Sequence, residues 1–192
     1  DITGDLVIER NDGLISLQGL NALARVGGSL TLSRNPQLPS LAGLQGLTGI
    51  AGALLLQDNE QLVRPLVTTA LETVGALTVQ RNPALVDLAG MERLRRIERT
   101  MLVDENEALG AFDGLGGLAE IGEVTEVSRN PALISLAGLG SLVSAGYTFW
   151  LLENFALTIE VGDPSQNPDA PVASYRMPGQ LGGFASDMIA VR

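Results

Sequence analysis

The chain has 192 residues and a formal net charge of −10, from 22 acidic and 12 basic side chains, and all the basic residues are Arg. It contains no His, Cys or Lys, which excludes Ser-His-Asp and Cys-His catalytic systems, zinc fingers, disulfides and lysine Schiff bases. The acidic balance does not suit the phosphate backbone of nucleic acids or an anionic membrane surface. No stretch reaches the roughly 18 unbroken apolar residues of a membrane helix. We therefore expect no nucleic-acid partner, no membrane span, no metal site and no cofactor.

A short β-type run precedes an Asn at regular intervals along the chain. Seven such Asn residues are spaced by 24, 24, 23, 24, 24 and 24 residues: Asn11, Asn35, Asn59, Asn82, Asn106, Asn130 and Asn154. The residues three and five before the Asn are apolar in nearly every copy, as in Leu30 and Leu32. This period of two predicts a strand with one buried face.

After each Asn the apolar spacing changes from two residues to three. The copy that starts at Asn35 shows this spacing at Leu38, Leu41, Leu44, Leu47 and Ile50. A spacing of three drifts around an α-helix but stays in line on a 3₁₀-like or polyproline-like path. Each copy is therefore predicted to form one turn of a coil, with a strand, an Asn corner and a leucine-lined return.

Stacked copies predict a mainly β fold, a parallel β-solenoid of about seven 24-residue turns, which is stable only as a whole. Because a side-chain amide both donates and accepts hydrogen bonds, we interpret the Asn residues as a structural ladder that satisfies the corner backbone. The solenoid is expected to span residues 1–160. Residues 161–192 are expected to form a Pro-rich linker followed by a C-terminal arm or cap.

The repeat unit resembles leucine-rich repeats. Residues 30–41 read LxLxxNxxLxxL, and the fuller unit GGSLTLSRNPQLPSLAGLQGLTGI is similar to the receptor L-domain repeats of bacterial surface proteins. The resemblance covers about residues 2–157. It implies a right-handed solenoid, an extracellular or cell-surface location in a bacterium, and a binding or structural role. The flanking cysteines of the related animal receptors are missing, so a growth-factor role does not carry over.

Outward-facing positions of the predicted sheet supply the candidate contact face. Its apolar members are Leu55, Leu102, Trp150 and Leu152. They either reflect ordinary β-propensity at surface positions or form a contact face for a protein, a glycan or the chain's own tail. The residue just before each Asn is charged, and its sign alternates from Arg34 onward. We expect these charges to attract one another between neighbouring turns.

Carboxylates on neighbouring turns offer one catalytic alternative. Asp104, Glu105 and Glu126 would allow an acid pair for glycoside hydrolysis, and Asp104, Glu105 and Glu107 a weak calcium site. No insertion interrupts the period to form a cleft. The sequence therefore favours a protein that is not an enzyme.

Aromatic residues are concentrated towards the C-terminus, where Tyr147, Tyr175 and Phe184 are candidate contacts of the last turn or of the arm. The tail is interpreted either as a cap on its own solenoid or as an arm that adds a strand to a neighbouring subunit. The favoured function is a non-catalytic extracellular or cell-surface module that makes protein–protein contacts. Such a module could serve in adhesion or recognition, or as a subunit of a head-to-tail assembly such as a filament. The alternative is a glycan-binding or polysaccharide-acting β-helix protein.

Overall fold

A computed structural model describes residues 1–65, 70–159 and 175–176. Parallel strands recur at a spacing of roughly 24 residues and stack into a solenoid, which confirms the predicted fold class. Seven Asn corners delimit about six turns. Helical structure in the described ranges is limited to a short 3₁₀ turn at Ala137–Leu139.

The described strands, in chain order, are β1 (Leu6–Glu9), β2 (Arg25–Val26), β3 (Leu30–Ser33), β4 (Gly49–Gln57), β5 (Thr73–Gln80), β6 (Arg96–Ile97), β7 (Met101–Asp104), β8 (Glu120–Ile121), β9 (Val124–Ser128), β10 (Ser144–Ala145), β11 (Thr148–Leu152), β12 (Thr158–Ile159) and β13 (Tyr175–Arg176). The first eleven belong to one parallel sheet, whereas β12 and β13 form an antiparallel pair.

The main column of the sheet runs β1, β3, β4, β5, β7, β9, β11, and it pairs equivalent residues of successive turns. Leu30, for example, lies opposite Leu6 on one side and Leu54 on the other. The shorter spacing between the third and fourth corners is absorbed by a register shift between Ile50 and Ala53, opposite β5. Such a β-bulge removes one residue from the turn without moving the inward-facing side chains to the other face.

Where the structure describes the returns, they follow a 3₁₀-like path, one of the two paths that the three-residue spacing allowed. Backbone N–H groups donate to the carbonyl three residues earlier, from Leu38 to Asn35 (3.1 Å), from Leu44 to Leu41 (3.1 Å) and from Leu47 to Leu44 (2.9 Å). An i to i−3 pattern places every third side chain on one line. The leucines of the return therefore face inward together, and all four of these Leu side chains are buried.

The core is the space between the main strand column and the stacked returns. Leu30 and Leu32 from β3 are fully buried there with Leu38 and Leu44 from the following return. Burying a side chain of this size contributes about 1.5–3 kcal/mol. Since one turn cannot cover its own leucines, this contribution exists only when turns stack.

Close approach of neighbouring returns makes glycine necessary at particular positions. Gly114 has φ +102°, and a Cβ placed on it would overlap the backbone carbonyl of Leu88 in the preceding turn. Gly116, two residues further on, has open space around its Cα. The positive φ and the carbonyl contact together explain why Gly occupies position 114.

Candidate interaction surfaces

An Asn ladder runs along one corner of the solenoid. The Oδ1 of Asn82 accepts hydrogen bonds from the backbone N–H (3.1 Å) and the Nδ2 (3.2 Å) of Asn59 in the preceding turn. The Nδ2 of Asn82 donates to the backbone carbonyl of Leu56 (2.9 Å), also in the preceding turn. The same pattern recurs at Asn35, Asn59, Asn106, Asn130 and Asn154. Each of these six Asn residues therefore ties its own corner to the turn that precedes it.

The ladder has a direction, so its two ends differ. Asn11 is exposed, whereas the six other Asn residues are buried. The Oδ1 of Asn11 accepts no hydrogen bond from a described residue, and its Nδ2 donates to Glu9 and Asn35. At the other end, the backbone N–H of Asn154 meets no acceptor in the described part of the chain. An acceptor is thus open at one end and a donor at the other.

The residue before each Asn has a left-handed backbone. Its φ lies between 49° and 58° at Arg10, Arg34, Asp58, Arg81, Glu105, Arg129 and Glu153. Non-glycine residues rarely adopt this region, and Asn or Asp are the usual exceptions. This backbone conformation was not predicted from the sequence, because six of the seven residues are Arg or Glu, which do not signal it. Its only trace in the sequence is that all seven residues are charged and none is β-branched.

Charged side chains of these left-handed residues pair between turns. Arg81 holds Asp58 through two N···O hydrogen bonds of 2.6 and 3.2 Å, and these bonds are the chief reason why the pKa of Arg81 is raised. Burial acts to lower the pKa of Arg129, but the charges and hydrogen bonds of Asp104 and Glu105 outweigh it and raise this pKa as well. The acidic partners thus favour the charged form of both guanidinium groups.

Glu153 differs from the other acidic members of this column. Asp58 and Glu105 each have an Arg partner on a neighbouring turn, at 2.6 Å from Arg81 and 3.0 Å from Arg129. Glu153 forms no ion pair with any residue that the structure describes. A carboxylate is thus left without a cation at the last corner.

The carboxylates considered for catalysis are tied into a polar network. Asp104 has only 3% of its side chain exposed, and it accepts hydrogen bonds from Ser128 Oγ (2.7 Å), Arg129 (2.6 Å) and Gln80 (3.1 Å). The Ser128 Oγ also lies 3.1 Å from a carboxylate oxygen of Glu126. A groove runs beside this network, lined by Asp58, Glu60, Arg81, Pro83, Glu105, Glu107, Arg129 and Pro131. Within the described ranges, no group of three or more acidic residues is arranged to hold a metal ion.

The predicted contact face is divided by the structure into two parts. Leu55 and Leu102 are half-buried, while Trp150 is 51% and Leu152 is 45% exposed. In the outward column of the sheet, Glu126 stands between Leu102 and Trp150. The structure therefore places Trp150 and Leu152 together on β11 and leaves Leu55 and Leu102 within the middle of the sheet.

Exposed apolar side chains are concentrated in the last turn. Of the nine large hydrophobic residues that are exposed in the described part, five lie between residues 143 and 155, including Tyr147 (78%) and Phe155 (58%). Three others lie on the returns, each four residues after the Asn of its turn: Ile15, Val63 and Ile134. This second group was not predicted from the sequence, because its members lie next to the positions of the three-residue pattern rather than at them.

Both ends of the main strand column are open edges in the described chain. There, β1 pairs only with β3, and β11 pairs only with β9.

Tyr175 lies on β13, opposite Ile159 of β12 in the same chain. Phe184 and the rest of the predicted linker and arm, residues 161–174 and 177–192, lie outside the described residues. No helix in the described ranges is long and apolar enough to cross a membrane.

Comparison of the chain with protein families, with curated proteins and with solved structures finds no match. A function has therefore to be inferred from the geometry of the chain itself.

Proposed function

We propose that the protein is a non-catalytic interaction module that acts outside the cell or at its surface and binds another protein through its last turn. The observation that carries this proposal is the group of exposed apolar side chains around β11. Trp150 and Leu152 project from an edge strand whose backbone groups have no described partner on one side. Apolar side chains beside an open strand edge favour contact with another polypeptide.

The carboxylate network supports a non-catalytic function. A glycosidase acid pair flanks the substrate bond with both carboxyl groups accessible. Asp104 is instead buried, and Arg129, Ser128 and Gln80 occupy its oxygens. A structural function of Asp104 explains these contacts without a substrate.

Substitutions taken from the protein's own columns test the proposal with little risk to the fold. Thr78 occupies the column of Trp150, and Ser128 lies opposite Leu152. The double variant Trp150→Thr and Leu152→Ser therefore replaces both apolar side chains by residue types that already occur at equivalent positions of the solenoid. Ile134→Thr removes an apolar residue that is more exposed still (61%) but lies on a return, and it serves as the control.

The measurement is quantitative capture of secreted and surface proteins from the source organism by the immobilised chain and its variants. We expect the double variant to capture at least about tenfold less of the partner, as is typical when central contact residues of an interface are replaced. The Ile134→Thr control should bind as the unaltered protein does. A set of bound proteins that is the same for all three chains would refute the proposal.

A further inference from the structure

The corner hydrogen bonds define what a turn offers to the turn that follows it. Each turn presents the backbone N–H of its Asn and the carbonyl three residues earlier, and the Asn of the next turn binds both. Each turn also presents the N–H of its left-handed residue. This N–H donates to the carbonyl two residues before the next Asn, as from Asp58 to Gln80 (3.1 Å).

The last described turn has all of these groups unmatched. They are the N–H of Asn154, the carbonyl of Leu151 and the N–H of Glu153, none of which is bound by a corner of the described chain. The carboxylate of Glu153 has no described cation, and Trp150 is half exposed. A turn that matches these groups needs an Asn at its corner and a cationic residue directly before that Asn. It also needs a carbonyl two residues before the Asn that can accept a further hydrogen bond.

The first turn of this chain carries that set of groups. Among the described residues, the Oδ1 of Asn11 accepts no hydrogen bond, and its exposed side chain binds no earlier turn. Arg10 precedes it, and its nearest carboxylate in the described chain is that of its own neighbour Glu9 at 3.4 Å. The Glu9 carbonyl accepts one hydrogen bond from a described residue, Asn11. The equivalent Gln80 carbonyl accepts two, so a second can be added.

The geometry points to a second copy of this chain as the partner, with its first turn stacked on the last turn of the first copy. Asn11 of the second copy accepts from the N–H of Asn154 and donates to the carbonyl of Leu151. The Glu153 carboxylate faces Arg10 of the second copy, which continues the alternation of charges. Val7 of the second copy, which is exposed, takes the next place in the outward column of Trp150.

This inference rests on the proposed function, since it names the partner of the same last turn. The contact joins two different surfaces of the chain, and each added copy presents the same open turn again. Contacts of this heterologous kind extend into a filament unless the rotation closes a ring.

Charge reversal at the two ends provides the test. Arg and Glu both occur naturally in the left-handed column, so Arg10→Glu and Glu153→Arg introduce no new residue type there. Each variant places like charges at the junction and should weaken self-association at least about tenfold. An equimolar mixture of the two variants restores opposite charges at every mixed junction and should recover association. Glu60→Arg in a middle turn, which is exposed and alters the net charge as Glu153→Arg does, is the control.

Self-association is measured by sedimentation velocity at concentrations up to about 100 μM, with electron microscopy of the same samples. Concentration-dependent growth that the single reversals weaken and the mixture recovers supports the junction. The proposed junction is overturned if the chain stays monomeric, or if the charge reversals at positions 10 and 153 leave self-association unchanged. Capture of a different protein by the Trp150 face would still support the proposed function, so the two failures are distinguishable.

Discussion

Replacement of Asn82 by Ala should reveal how much an interior clamp contributes to stability. The change removes the acceptor of the buried Asn59 backbone N–H and the donor to the carbonyls of Leu56 and Gln80. It also removes the two side-chain hydrogen bonds that Asn82 makes to the neighbouring members of the ladder. For the backbone partners alone, an unsatisfied buried donor costs about 1–3 kcal/mol, and each of the two hydrogen bonds to carbonyls contributes about 0.5–1.5 kcal/mol. We therefore expect the free energy of unfolding to fall by about 2–6 kcal/mol.

Asn11→Ala is the matched control, because Asn11 is the equivalent residue of the first described corner and binds no earlier turn among the described residues. Its Nδ2 hydrogen bonds are exposed or partly exposed, so water can replace them. We expect a loss below about 1 kcal/mol.

Urea unfolding followed by far-ultraviolet circular dichroism measures both losses. Trp150 is the only Trp, so its fluorescence reports the last turn separately. Coincidence of the two signals tests whether the solenoid unfolds as one unit. If Asn82→Ala cost no more than Asn11→Ala, the clamp would not be the source of corner stability and the reasoning would be refuted.

Three further predictions concern the backbone and the charges. Gly114→Ala should destabilise the protein by more than about 2 kcal/mol through its positive φ and carbonyl overlap, whereas Gly116→Ala should be close to neutral; thermal melts compare them. Glu105→Val should be less stable than Glu105→Asn by about 1 kcal/mol or more in urea, because both lose the same ion pair but Val resists a left-handed backbone. Arg129→Ala should cost about 1–3 kcal/mol, since it removes a hydrogen bond to a buried carboxylate. Arg96→Ala loses only an exposed pair and should cost below about 1 kcal/mol; equal losses would contradict this distinction.

Periodicity explains why the fold could be predicted from the sequence. A strand with Leu30 and Leu32 on one face, followed by leucines at every third position, cannot bury these side chains by itself. A stack of such turns buries them in one common core. The repeated Asn marked the corner, because a side-chain amide that both donates and accepts hydrogen bonds can bind the equivalent residue of every neighbouring turn.

Other features could not be predicted, because they depend on contacts between turns. The left-handed backbone at Arg81 and its equivalents is imposed by the corner and not by the preference of the residue. The division of the contact face, with Leu55 half-buried and Trp150 exposed, depends on which turns cover each strand. The network around Asp104 joins residues 24 positions apart, and only the register brings Ser128 and Arg129 to it.

The sequence by itself determined the unit of this protein: the strand, the corner, the return and the absence of His, Cys and Lys chemistry. These follow from local spacing and composition, which need no knowledge of neighbouring turns. Only the tertiary structure decided the direction of the Asn ladder and the difference between the two ends. That direction arises because each Asn binds backward to the preceding turn, so that among the described residues the first corner is left with an unmatched acceptor and the last corner with unmatched donors.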